Sequence, residues 1–371
     1  MGSDNIGDYQ YLATAQLRSS TESYVFGTDP KVVPSLHFSG TPNPSITWET
    51  ANTYNVALEG TLWNGLLGFE VEYFFSKRND ILARRNASIP IYAGLTLPDE
   101  NIGKAQNQGF ELTLSHQNNI GEVKYNISAN VTHTSNKIIY MDESPNVPDY
   151  QKREGHPIDS WLLYKTDGIF QTQQQFDDTA VRWSGSQVGD IVYLNQDGDN
   201  SISANDRVRL YKSSMPKFIY ALNLGFSYKG LDMNMLWQGQ TGAWTYINPT
   251  SRNGDINIPM WLYNGRWTPE TAGSATMPRA FYHRSESVNT QSSDFWLKDA
   301  SFLRLKSLEL GYTLPKNIVS KVSISNARVY VSGFNLLLFD KIKDYDPEVV
   351  NDLGVFYPAT RTYNVGVQIT F

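Results

Sequence analysis

The sequence contains no cysteine, which excludes disulfides, a thiolate metal centre and a cysteine nucleophile. No run of about 18 apolar residues occurs, so no transmembrane helix is predicted. Histidine is scarce: the five residues His37, His116, His133, His156 and His283 never pair at metal or triad spacing. There is no Gly-x-Ser-x-Gly elbow and no phosphate loop. Carboxylate pairs such as Asp177-Asp178 lack a supporting constellation, so no enzyme is indicated, a glycosidase included. Basic residues are outnumbered, 31 against 37, giving a formal net charge of −6. Without a basic footprint no nucleic-acid partner is expected. No apolar h-region follows Met1-Gly2-Ser3, so no signal peptide is expected either.

What is present is aromatic and alternating. Aromatics make up 13% of the chain, with 22 Tyr and 9 Trp, residue types that suit places with one wet and one apolar end. Period-two patterning dominates over helical patterning. Phe218, Tyr220, Leu222, Leu224, Phe226 and Tyr228 share one strand face; after Lys229-Gly230, Leu231, Met233, Met235 and Trp237 share another. This is a hairpin of two strands long enough to cross a bilayer. The same grammar recurs at 54–58 and 67–75, at 110–114 and 123–131, at about 300–312, at 327–332 and at 363–371. Leu303 and Leu305 are out of phase with Leu308, Leu310 and Tyr312, which predicts a β-bulge near Lys306-Ser307.

Short turns are predicted near 63–65, 118–121 and 229–230, with a medium one near 313–323. Between them lie long segments at about 78–103, 138–215, 243–299 and 339–359. Short and long alternate throughout, as they do where one rim of a barrel carries periplasmic turns and the other extracellular loops. The expected fold is therefore all-β, a partial antiparallel transmembrane β-barrel whose outer faces meet outer-membrane lipid. A soluble, calcium-stabilised β-sandwich binding carbohydrate is the alternative, and a β-architecture glycoside hydrolase a third.

Four segments sharpen this. GKAQNQGFELTL (103–114), FLRLKSLELGYTLP (302–315), RVYVSGFNLL (328–337) with YDPEV (345–349), and the terminal YPATRTYNVGVQITF (357–371) together resemble the SusC/RagA family of TonB-dependent outer-membrane transporters. The resemblance runs from about residue 45 to the end. It implies import of glycans or oligopeptides across the cell outer membrane, with a SusD-like surface lipoprotein as lid and the C-terminus on the periplasmic side. It also implies a barrel of about 22 strands, of which residues 1–371 would be roughly the last ten. The carboxypeptidase-like domain, TonB-contacting segment and plug of the family are not visible. TonB would thus act through that missing N-terminal part, and the rest of the barrel and the plug must come from other sequence, because open strand edges are not viable in lipid.

Within the long 138–215 segment, Asn195, Asp197, Asp199, Ser201 and Asp206 fall at loop positions 1, 3, 5, 7 and 12, with Ile202 at position 8. Hard oxygen donors at this spacing predict a structural Ca²⁺ site over 195–206. Asn200 stands where glycine is usual, and Asn tolerates the left-handed region better than most residues. The loop tryptophans Trp183, Trp244, Trp261 and Trp267 are candidate substrate-stacking platforms. Loop packing and an interface girdle are the plainer reading of such residues, Trp161 and Trp296 included. Phe371 resembles the terminal aromatic by which barrel-assembly machinery recognises its substrates.

Overall fold

The computed structural model describes residues 10–13, 15–18, 24–26, 31–38, 41–85, 97–248, 258–280, 288–322, 324–343, 345–348 and 357–371. Nine long strands form one antiparallel sheet: β1 (Thr50–Leu62), β2 (Leu67–Arg84), β3 (Asp99–Ile120), β4 (Val123–Tyr140), β5 (Phe218–Tyr228), β6 (Leu231–Thr241), β7 (Phe302–Thr313), β8 (Asn326–Asp340) and β9 (Thr362–Thr370). Each pairs with its neighbour in sequence, β1 through β9 in order. All nine coincide with the alternating segments of the sequence. Such an uninterrupted meander is not the two-sheet Greek-key order of a sandwich, so the sandwich reading is set aside. Within the described residues β1 and β9 do not pair with each other, and the sheet is an open part of a barrel.

Register converts the period-two pattern into rows. Val365, Val331, Leu310, Met233, Phe226 and Tyr125 lie side by side across six strands. Val367, Val329, Tyr312, Leu231, Tyr228 and Val123 form the next such row. Between them runs a polar row on the opposite face: Gly366, Tyr330, Gly311, Asp232, Ser227 and Lys124. Its glycines leave room for large neighbours. A Cβ on Gly311 would lie 2.3 Å from the Arg328 guanidinium, and one on Gly366 would lie 2.3 Å from the Tyr330 ring. Arg328 in turn binds Asp232 and, at 2.7 Å, Glu309. The apolar rows are open instead: Val365 is 78% exposed, Val331 48% and Leu310 45%.

The predicted bulge is present. Ser307 faces Leu236 and Leu305 faces Trp237, leaving Lys306 as an extra residue against β6. β8 then places Asn335 and Leu336 against Lys306 alone, with Asn335 in the left-handed region at φ 56. The bulge returns Leu308, Leu310 and Tyr312 to the face shared by Leu303 and Leu305.

The turn at 229–230 falls where expected, with Lys229 at φ 47 and Gly230 at φ 87. Two boundaries differ from the sequence reading. The strands around the 78–103 segment run on to Arg84 and start again at Asp99. Ion pairs Arg84–Asp99 at 3.3 Å and Arg85–Glu100 at 2.8 Å join them. Likewise β3 continues to Ile120, and the turn is Gly121-Glu122.

The chain comprises two compact units. One contains 1–54, 75–108 and 136–158; the other contains 55–74, 109–135 and 159–371. The first holds the outer parts of β2, β3 and β4 and two short strand pairs, Ala15–Arg18 with Ser35–Phe38 and Tyr24–Phe26 with Lys31–Val33. The second holds β5 to β9 and a folded core made by the long connections.

Candidate functional site

The described residues of the 141–217 and 242–301 connections form folded structure. Three short antiparallel pairs organise them: Leu162–Tyr164 with Arg207–Arg209, Thr166–Ile169 with Ile191–Tyr193, and Trp244–Tyr246 with Leu297–Asp299. Helices α1 (Gln173–Asp178) and α2 (Met260–Gly265) complete them. Tyr164, Ile169, Ile191, Tyr193, Leu262 and Trp296 form the shared core, with Ile191 and Trp296 wholly buried. Burial also holds the Tyr193 hydroxyl well above its ordinary pKa, and that hydroxyl donates to the Val288 carbonyl at 2.7 Å.

A buried polar knot joins the two connections. The Asp190 carboxylate, fully buried, accepts from the Gln187 backbone N–H at 2.9 Å and the Asn289 amide at 2.8 Å. The Arg279 Nε lies 2.7 Å from it. Asn289 Oδ1 accepts from the Ile191 N–H at 2.9 Å. A charge this deep is tolerable only with such partners.

The candidate tryptophans separate into two groups. Trp183 packs edge-on to Tyr164 at 5.1 Å and beside Tyr193 at 5.3 Å. The Trp267 Nε1–H donates to the Gln171 carbonyl at 3.0 Å, and its ring covers Gly189, whose φ of +91 and lack of space admit no Cβ. Both rings are thus taken up in packing. Trp244 and Trp161, by contrast, line a cavity of about 410 Å³ together with Ser214, Gln240 and Glu348. The Lys212 ammonium sits 3.5 Å from the Trp244 ring centroid. Trp261 lines a second cavity, and its Nε1–H donates to the Tyr345 hydroxyl at 3.2 Å.

Glu348 belongs to a network the sequence reading missed. Arg304, 2% exposed near the start of β7, meets Asp346 at 2.5 Å and, through Nε, Glu348 at 2.9 Å. Lys306 meets Glu348 at 2.7 Å. Asp346 Oδ2 also accepts from the Ala359 N–H at 3.0 Å. The Asp346 carboxyl lies below its ordinary value: burial pushes it up, but the Glu348 and Ala359 N–H groups and Arg304 outweigh that. The network pins the 345–348 stretch to the strand below it. Its members lie in two separately recognised segments, the basic residues in FLRLK and the acidic residues in YDPEV, and nothing in either segment alone pairs them.

Over 195–206 the predicted calcium donors are engaged with backbone. Asn195 Oδ1 accepts from the Gly198 N–H at 2.8 Å, Asp197 Oδ1 from Asp199 at 3.1 Å, and Asp199 Oδ1 from Ser201 at 2.7 Å. Buried Asp206 accepts from the Gln196 N–H at 2.6 Å and the Ser203 N–H at 2.7 Å. Among the described residues no three His, Asp or Glu side chains gather as a metal group. The donor types still suit a hard cation: three carboxylates and one amide oxygen within one loop.

Of the histidines, His116 shares a hydrogen bond of 2.9 Å with the Tyr125 hydroxyl, and His133 stacks on Phe110 and packs tilted against Phe218. His283 lies outside the described residues. Phe371 follows β9 and is 88% exposed.

Comparison with known proteins agrees with this architecture. Residues 11–336 match the family described as TonB dependent receptor-like, beta-barrel. The TonB-dependent receptor P26 of Formosa agariphila is 30% identical over 89% of this chain and 35% of its own length. The TonB-dependent receptor SusC of Bacteroides thetaiotaomicron is 22% identical over 100% of this chain and 36% of its own. Among solved structures, that of the RagAB peptide transporter superposes with a TM-score of 0.72 at 26% identity, covering 100% of this chain and 39% of the matched one. The chain spans about a third of the length of the curated relatives it matches.

Proposed function

Because the chain belongs to the TonB-dependent receptor β-barrel family, we propose that it supplies the C-terminal share of an outer-membrane barrel importing glycans or oligopeptides. The observation that carries this is the row structure of the sheet. Its exposed apolar rows would cost heavily in water but suit hydrocarbon, while the polar rows opposite suit a wet lumen. Further strands of the same barrel close the edges at β1 and β9, since unpaired edges are not viable in lipid. The importer acts by uptake and not by catalysis.

The antiparallel order sends the connections after β2, β4, β6 and β8 to the rim opposite the short turns, which the reading places outside the cell, with the C-terminus periplasmic. The folded connections there carry the cargo-facing cavity of Trp161 and Trp244 and present a surface to a SusD-like lipoprotein lid. Residues 195–206 bind one structural Ca²⁺ through Asn195, Asp197, Asp199, Ser201 and Asp206, which relieves repulsion among the three carboxylates.

Labelling of an engineered cysteine tests the reading. At Ser274, which is exposed in the 242–301 connection, a membrane-impermeant maleimide should react on intact cells expressing the full transporter. Reaction only after the outer membrane is breached would overturn the topology. Co-purification in mild detergent tests the lid: consistent isolation of the transporter without its cognate lipoprotein would remove that partner.

A further inference from the structure

The cavity beside Trp261 has a volume of about 200 Å³, enough for one sugar ring or one amino-acid residue rather than an oligomer. Trp261 and Tyr345 line it, with ring centroids 6.2 Å apart and planes at 86°. Ile247, Ile342 and Met277 give it apolar surface. Three lysines line the same small space, Lys298, Lys341 and Lys343, in a chain whose net charge is −6.

These ammonium groups are unequally matched. Lys341 pairs with Asp299 at 2.7 Å. Lys343 donates to the Asp340 backbone carbonyl at 3.5 Å and acts on the Asp340 carboxylate only through its field. Lys298 is half-buried, and its described hydrogen bond is to the Phe295 carbonyl at 3.2 Å. Among the described residues it has no carboxylate in ion-pair range. Burial accordingly lowers its pKa. An ammonium that has lost part of its hydration and gained no counter-charge is an anion-binding element.

We propose that this cavity is a subsite for an anionic end group of the cargo: a carboxylate or sulfate received by Lys298 and Lys343, with the adjoining ring or side chain against Trp261 and Tyr345. That the ligand is cargo rests on the importer reading; the chemistry of the cavity does not. The aromatic and apolar walls require more than a bare ion, and the lysines require negative charge. A uronate, a sulfated sugar and a peptide C-terminus share this chemistry.

Titration calorimetry on the full-length transporter in detergent tests it with matched pairs. The probes are a uronate disaccharide and its neutral methyl ester, a sulfated monosaccharide and the unsulfated sugar, and a Phe-terminated tripeptide and its C-terminal amide. In at least one pair the charged member should bind about tenfold or more tightly than the neutral one, and the responding pair identifies the source of the anion. Lys298→Met should cut that preference below about threefold without changing the neutral probe, and Lys298→Arg should restore it. Should Lys298→Met fail to fold, Lys343→Gln and high salt replace it, because screening to a Debye length of roughly 3 Å at 1 M must also erode the preference. No charge preference in any pair, or a preference that survives both variants, overturns the subsite. Failure of the subsite with extracellular labelling intact leaves the importer reading standing, and the reverse result condemns only that reading.

Discussion

Replacing Asp190 with alanine removes the acceptor that ties two connections together, its partner Asn289 being 99 residues further along the chain. The carboxylate is wholly buried and meets the Gln187 N–H, the Asn289 amide and Arg279. Losing a buried acceptor costs about 1–3 kcal/mol for the donor left behind. Breaking a fully buried ion pair costs about 3–5 kcal/mol, but the Arg279 side chain is 25% exposed and water takes back part of that. The sum is about 3 kcal/mol against the folded connections, a rise in their open population of roughly a hundredfold. The barrel strands do not use Asp190 and should stay assembled. Limited proteolysis of the full-length protein in detergent reads the open population when closing is faster than cleavage. Cleavage within 171–189 should therefore accelerate by roughly a hundredfold in Asp190→Ala, and by much less in Asp190→Asn, which keeps an acceptor for Asn289. Cleavage of Asp190→Ala within threefold of the parent rate would refute the claim that this knot holds the connections together.

Metal analysis after calcium loading should find one Ca²⁺ fewer in Asp197→Ala/Asp199→Ala than in the parent; equal contents would remove the site. Deleting Phe371 should lower the amount of protein in the outer membrane several-fold, and unchanged assembly would leave Phe371 a simple terminal aromatic. Deleting Lys306 removes the extra residue of the bulge and puts Leu303 and Leu305 in regular alternation with Leu308, Leu310 and Tyr312, so both halves of β7 keep their faces; heat-modifiability gels should show assembled barrel within about twofold of the parent, and a tenfold loss would show that the bulge itself is required. Asp346 stabilises the 345–348 anchor through a lowered carboxyl pKa, so its contribution is complete above about pH 4 and is lost as pH falls through the lower folded value; cleavage within 341–348 should rise only below about pH 4, and loosening near neutrality would contradict the ion-pair account.

Within the sheet, the sequence alone determined a great deal. A strand with one face toward hydrocarbon and one toward a wet lumen must alternate, and alternation leaves a period that no other element shares. That is why all nine strands, the hairpin at Lys229-Gly230 and the bulge at Lys306 could be located from residue order. The resemblance of four segments to the SusC/RagA family was carried by the same strands. Where that environment ends, the constraint ends. The outer part of β2 reads Ser76-Lys77-Arg78-Asn79-Asp80 and carries no alternation, so its continuation to Arg84 was decided by pairing and by ion pairs such as Arg78–Glu49 at 2.9 Å. Tertiary structure alone decided the rest. Trp183, Trp244, Trp261 and Trp267 are equivalent as letters, yet Trp183, Trp261 and Trp267 pack against the loop core while Trp244 and Trp261 line cavities, because burial depends on partners far along the chain. Asp190 with Asn289, Arg304 with Asp346, and Lys298 with Lys341 and Lys343 are likewise brought together from distant segments. Local sequence records no such meeting, since only the closed fold sets which charges lose water together and which must then find one another.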